Sequence, residues 1–324
     1  LLDGGRAFMS PHIGDLENSE TLEFYRETVG KFLDWFSVEP EVVAHDLHPD
    51  YLATRFAKDF ASERGIPLVG VQHHHAHMVA VAAENGHADP VIGLSLDGTG
   101  YGDDGAIWGC EFLVSGPSEF RRAGHLGYVP LPGGDAAIRH PYRVATSHLV
   151  SAGVEDVESV AAGLFKNVPA EELDLVIQQV AKRVNCVDTS SAGRLFDAVS
   201  AMLGICTSIS YEAQAAIELE SVVDAEEEGS YPYGFREEAE DDGGRFVVDP
   251  GPIIRAALAD LEAGEPRGVM AARFHNTVAD LCTEAARRIS SRSGSRSVPT
   301  SLSVDWSSSS SMSASAASPL PCSR

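Results

Sequence analysis

No uninterrupted apolar run in this 324-residue sequence approaches the roughly 18 residues of a membrane-spanning helix, so no membrane partner is expected. The opening stretch, LLDGGRAFMS, has neither the basic start nor the apolar core of a secretory leader and does not begin with Met. The sequence therefore reads as the interior of a longer, soluble protein. Basic residues are scarce, 24 Lys and Arg against 48 Asp and Glu, for a net charge of −24. Such a field repels phosphate backbones, and no local basic patch offsets it, so nucleic acid is excluded as a partner. The acidity itself reads as a solvated surface of the kind that holds water in a high-salt organism. The five cysteines (Cys110, Cys186, Cys206, Cys282, Cys322) form no C-x-x-C pair, which points to free thiols in a reducing cytoplasm.

The length accommodates two domains of ordinary size or one large two-lobed one, and 44% hydrophobic residues supply a core. In GDLENSETLEFYRETVGKFLDWF the apolar positions Leu22, Tyr25, Val29, Phe32, Leu33 and Phe36 have helical spacing. EVVAHD follows as a short buried strand, YLATRFAKDFASERG as a helix closed by Gly65, IPLVGVQ as the next strand, and HHHAHMVAVAAENG as a helix ending at Gly86. This alternation predicts an α/β sheet with crossovers, whose ligands gather at the C-terminal strand ends. VIGLSLDGTGYGDDGAIWGCEFLVSG predicts a hairpin around a Gly- and Asp-rich turn. From about residue 135 to residue 289 the pattern becomes mostly helical, with helices expected in AEELDLVIQQVAKRV, SAGRLFDAVSAMLGI, SYEAQAAIELESVV and GVMAARFHNTVADLCTEAARRI. DAEEEGSYPYGFREEAEDDGG is expected to be a surface loop. From Ser290 the composition reverses: three arginines and one acid up to Arg324, against a balance of −26 before it. Residues 290–324 are thus expected to be a disordered Ser-rich tail, and a frameshift product that replaces a real domain end.

The chemistry concentrates in VQHHHAHMVA. On a helix His73 and His77 stand at i and i+4, so one face can hold an ion between two imidazoles, although an exposed or helix-capping polar run has the same composition. About 20 residues on, GLSLD delivers Asp97 as a carboxylate ligand. Two imidazoles and a carboxylate suit Fe(II), Zn(II) or Mn(II) as a Lewis acid. His74 and His75 point elsewhere on the helix, toward substrate or phosphate. In DGTGYGDDG, Gly98, Gly100 and Gly102 let backbone N–H groups approach an anion, as would a turn that merely closes a hairpin. In PLPGGDAAIRHPYRVA, Arg139 and Arg143 flank HPY and can grip a phosphate or carboxylate, or form internal ion pairs with Asp135 or a neighbour.

Together HIGDLEN, DLHPDYLATRFA, VQHHHAH, LDGTGYGDDGAIWGCEFL, PLPGGDAAIRHPYRVA, GRLFDAVSAMLGI and SYEAQAAIELE resemble, in unbroken order over residues 3–289, the C-terminal half of the HypF family, the carbamoyltransferases that mature nickel–iron hydrogenases. The resemblance implies a two-lobed actin/hexokinase-like ATPase fold of the carbamoyl- and threonylcarbamoyl-transferase type, here incomplete at both ends. It implies a first α/β lobe at 1–90, truncated at its N-terminus, and a second lobe at 91–289 with a hairpin and a mostly helical nucleotide-binding part. It implies a divalent metal, Fe or Zn, on His73, His77 and Asp97, and a nucleotide pocket to which Gly193, Asp197, Glu212 and Glu218 contribute with Gly98 and Gly100. The substrate implied is carbamoyl-adenylate, made from ATP and carbamoyl phosphate, and the partner is HypE. The resemblance implies that His73, His77 and Asp97 would hold an ion able to polarise the carbamoyl carbonyl, so that the C-terminal thiolate of HypE could attack it and AMP leave. His74 or His75 would deprotonate the thiol or orient phosphate, alongside Arg139 and Arg143.

The sequence also departs from the family pattern. It holds none of the upstream acylphosphatase-like, zinc-finger and carbamoyl-adenylate-forming domains, and the tail lacks the GGVFQN-type turn and late metal-ligating Asp. Two other readings are therefore a catalytically inactive metal-binding remnant and a small-molecule O-carbamoyltransferase. HIGDLEN and DLHPDYL favour the hydrogenase branch.

Overall fold

Asn18 starts the first long helix: its Oδ1 accepts the Thr21 backbone N–H at 2.8 Å. The computed structural model describes residues 1–16, 18–238, 244–292 and 313–314, and residue contacts divide the chain into two compact units, Leu1–His73 and His74–Arg324. In the first unit β1 (Leu2–Asp3) and β2 (Arg6–Ala7) form a small antiparallel ribbon ahead of α1 (Ser19–Phe36). β3 (Val43–Asp46) and β4 (Leu68–Val71) then pair in parallel, with Val43 opposite Leu68 and Asp46 opposite Val71. Parallel neighbours need a crossover, which α2 (Leu52–Arg64) supplies before Gly65 closes it in the left-handed conformation at φ 64°. The buried Thr54 of α2 donates its hydroxyl to the Asp46 carbonyl at 3.2 Å, tying helix to strand, and Tyr25 meets Phe56 edge to face.

The division falls after the first residue of α3 (His73–Glu84). In the second unit β5 (Val91–Tyr101) and β6 (Ile107–Ser115) form the expected hairpin, with a register break between Leu96 and Gly100. β7 (Phe120–Leu126) and β8 (Val129–Pro132) follow, then α4 (Asp135–Arg139), α5 (Pro141–Ser151), α6 (Val157–Leu164), α7 (Ala170–Lys182), β9 (Cys186–Thr189), α8 (Ala192–Met202), α9 (Gln214–Ser221), β10 (Gly234–Glu237), β11 (Phe246–Asp249), α10 (Gly251–Ala263), α11 (Arg267–Arg292) and β12 (Ser313–Ala314). One sheet runs in the order β10-β11-β7-β6-β5-β12, and β9 joins β6 to β8. Its core lies against α5, α8 and α11: Phe196 of α8 meets Phe274 of α11 edge to face at 4.8 Å, and Phe112 of β6 packs on Phe246 of β11.

The mostly helical stretch 135–289 also carries β9, β10 and β11, four-residue strands too short to show a period of two. Three expectations change. The acidic segment expected to be a surface loop contains β10, and Tyr231 within it is buried, its N–H donating to Thr277 Oγ1 and its hydroxyl to Asp260. The α9 helix begins at Gln214, not Ser210, because Ala213 adopts a left-handed conformation and the Gln214 side chain accepts the Ser210 N–H. At the tail, Ser290–Arg292 belong to α11, where Arg292 donates to the Gly244 carbonyl at 2.6 Å, and Ser313–Ala314 pair antiparallel with Ser95 and Leu94. The rest of the tail expectation lies outside the described residues. Among those residues no helix is long and apolar enough to cross a membrane, and Cys110, Cys186, Cys206 and Cys282 are free thiols.

Candidate metal centre and its surroundings

The β4 strand ends at Val71 and α3 begins two residues later, so the histidine run forms the first turns of a helix at a strand's C-terminal end. His73 and His77 stand one turn apart on that helix. Within the first unit, His73 Nδ1 lies 2.7 Å from Asp46 Oδ2. A carboxylate on one ring nitrogen fixes the imidazole in the way metal-ligating histidines are fixed, the other nitrogen serving as ligand. Asp46 also accepts the His48 N–H at 2.7 Å. Sequence reasoning did not single out Asp46, although its place at the end of EVVAHD, the strand parallel to the one before the histidines, carried the signal.

Within the second unit, His77 is half exposed and its Nε2 stands 3.9 Å from Asp97 Oδ2. Donors each about 2.1 Å from a zinc ion stand at most roughly 4 Å apart, so the pair can share one. His74 is fully buried, its Nε2 3.5 Å from the same Asp97 oxygen and its ring stacked on Trp108. His75 is also buried: its Nδ1 meets Ser115 Oγ at 2.9 Å, its ring stacks on Phe120, and burial lowers its pKa. Burial moves both rings away from the thiol-activating role expected of them: His74 backs Asp97, and His75 pins α3 to β6 and β7.

Asp97 sits in the register break of β5. Its Oδ1 accepts the Gly98 N–H at 2.6 Å, and Ser191 Oγ donates to the carbonyls of Asp97 and Gly98, 2.8 Å from each. The same Ser191 oxygen caps α8 by accepting the Arg194 N–H. The glycines expected to cradle an anion have other work. Gly98 bonds Asp97, Gly100 lies opposite Trp108 in the ladder, and the Gly102 N–H closes the turn onto the Ala106 carbonyl at 2.9 Å.

The remaining candidates separate. Arg139 is exposed at the end of α4. Arg143 is buried, donating to the Pro132 carbonyl and to Gln179 and pairing with Glu172, so it follows the internal alternative, with Glu172 in place of Asp135. Gly193 packs α8 against β5 at Gly98. Asp197 is buried, 3.1 Å from Arg194, and desolvation raises its pKa to about 6 against the opposing pull of that arginine. Among the described residues Arg194 Nε and Nη1 and Ser200 Oγ, all buried beside it, have no hydrogen-bond partner. Glu212 is exposed before α9, and Glu218 accepts from Gln214 at 2.8 Å.

Comparison with known proteins places both units. A family model described as the carbamoyltransferase Kae1-like domain, second subdomain, matches residues 93–301, and one described as the HypF Kae1-like domain matches residues 1–84. Carbamoyltransferase HypF2 of Cupriavidus necator is 43% identical over 301 residues, covering 86% of this chain and 36% of its own length. Carbamoyltransferase HypF of Rhodobacter capsulatus is 39% identical over 293 residues, covering 89% and 37%. A crystal structure of full-length HypF in the phosphate- and nucleotide-bound form superposes with a TM-score of 0.79 at 40% identity, over 87% of this chain and 42% of that one. HypF of T. kodakarensis does so with a TM-score of 0.77 at 30% identity, over 88% and 37%. The chain thus spans less than half the length of these relatives.

Proposed function

The chain belongs to the HypF carbamoyltransferase family, and from that premise we propose that it forms the lobe that transfers a carbamoyl group from carbamoyl-adenylate to the C-terminal cysteine thiol of HypE, on the way to the cyanide ligands of nickel–iron hydrogenase. In this reading the first lobe extends to about residue 90, past the end of the first compact unit at His73, and the transfer takes place in the cytoplasm.

The observation that carries the reading is the convergence of His77 and Asp97 at 3.9 Å, one helical turn from a His73 already oriented by Asp46. His73, His77 and Asp97 would hold a divalent ion, Fe or Zn, a donor set of two imidazoles and a carboxylate that suits either. Bound there, the ion supplies a Lewis acid that polarises a carbonyl oxygen. Asp46 holds the His73 ring, and His74, shielded from solvent, holds the Asp97 carboxylate without meeting the acceptor. Since both inner histidines are buried, the thiol proton passes to solvent or to the departing nucleotide. At the start of α8, Arg194 brings buried, unsatisfied N–H groups beside Asp197 and Gly98. They are suited to the phosphate of the adenylate, with Gly193, Asp197, Glu218 and Glu212 around the nucleotide.

The test supplies carbamoyl-adenylate and HypE to the purified chain and follows the mass of the HypE C-terminal peptide. A carbamoyl adduct that depends on His77 and Asp97 is expected. An adduct formed equally by His77→Ala, or carbamoylation of a small hydroxyl compound with none on HypE, contradicts the proposal.

A further inference from the structure

Glu111 and Arg122 lie outside the proposed ligand set, and we infer that this buried pair is the positioning device for Asp97, an inference that rests on reading Asp97 as a ligand. Glu111 of β6 is fully buried, Arg122 of β7 nearly so, and Arg122 Nε stands 2.6 Å from Glu111 Oε2. Desolvating two charges offsets most of their attraction, so stability alone is a poor account of such a pair.

Two arms lead from it to Asp97. In the first, the Arg122 guanidinium covers the Trp108 ring, 3.9 Å from its centroid. Trp108 Nε1 donates to Asp104 Oδ1 at 2.9 Å, while Asp104 Oδ2 accepts from Arg122 at 3.3 Å and from the Tyr128 hydroxyl at 2.5 Å. Held on one face and one edge, Trp108 stacks on His74 with centroids 6.1 Å apart, and His74 Nε2 reaches to 3.5 Å from Asp97 Oδ2.

In the second arm, Glu111 Oε1 accepts the Ser190 hydroxyl at 2.5 Å and the Gly109 N–H at 3.2 Å. The next residue, Ser191, donates to the Asp97 and Gly98 carbonyls. Gly109 lies so close beneath Asp97 that a Cβ there would fall 2.5 Å from the Asp97 carbonyl oxygen. The first arm therefore holds the carboxylate and the second its backbone. Both are needed because the β5–β6 register breaks between Leu96 and Gly100, so strand pairing does not fix Asp97.

Hydrogen exchange tests this. The Gly98 N–H bonds Asp97 Oδ1, so its exchange reports the placement of that carboxylate. The double variant Glu111→Leu/Arg122→Met removes both charges without stranding one, and Arg122→Lys, which keeps a charge beside Glu111 but cannot span Trp108, Asp104 and Tyr128, stands in if the double variant does not fold. Exchange at Gly98 is expected to quicken at least about tenfold while amides inside α8, such as Val199, keep their rates; a merely structural role moves both together. Unchanged exchange at Gly98, or a rise matched at Val199, overturns the inference. Co2+ titration of the wild-type chain and Asp97→Ala separately tests the ligand reading: equal affinities sink that reading and leave the exchange result to decide the positioning role.

Discussion

Gly193 of α8 rides directly on Gly98 of β5: a Cβ added at Gly193 would stand 2.8 Å from the Gly98 Cα and 3.4 Å from the Asp97 carbonyl oxygen. A Cβ at Gly98 meets only the Arg194 Nη2 at 3.5 Å, an ordinary contact. The two glycines are therefore unequal. Gly193→Ala must push helix from strand and is expected to cost about 1–3 kcal/mol in urea denaturation, whereas Gly98→Ala costs under about 1 kcal/mol. Equal losses would show that the close approach is not what requires glycine at 193.

Asp197 gives a pH dependence of definite sign. Burial raises its folded pKa from 3.8 to about 6, so the folded chain binds more protons than the unfolded one across that interval. Its contribution is fully present below pH 3.8 and is lost as pH rises through 6. Relative to Asp197→Asn, the wild-type chain should lose about 3 kcal/mol over that range, at roughly 1.4 kcal/mol per unit. Denaturation curves of both at several pH values check this, and parallel curves would contradict it.

His148, buried in α5, acts in the opposite direction. Desolvation lowers its pKa from 6.5 to about 4, so the unfolded chain binds the extra proton in that window. Stability from this residue is complete above pH 6.5 and is lost as pH falls toward 4. The wild-type chain should fall by about 3 kcal/mol relative to His148→Leu over that descent, and a flat difference would show that the imidazole is hydrated.

How much of this was legible in the sequence differs by residue. The α3 histidines and Asp97 could be read because helical spacing and a strand end are local features, and so could the β3–α2–β4 crossover. The buried roles of His74 and His75 could not, since which face of a helix is covered depends on Trp108, Ser115 and Phe120, between 34 and 45 positions along the chain. Arg143 looked available because a pair of arginines in an acidic chain suggests an anion; its partners Glu172 and Gln179 arrive on a helix about 30 residues later. Asp46 and the Glu111–Arg122 pair went unread for the same reason: strand pairing and sheet packing bring their partners to them. The short strands β9, β10 and β11 carry no periodicity of their own and exist because the sheet receives them.

The most direct test of the central claim is the metal content of the purified chain after dialysis against Zn2+, measured beside the double variant His73→Ala/His77→Ala. About one equivalent per wild-type chain, lost in the variant with the fold intact, is the predicted result. Equal metal in both, or none in the wild-type chain, would contradict the assignment of α3 and Asp97 as the metal centre.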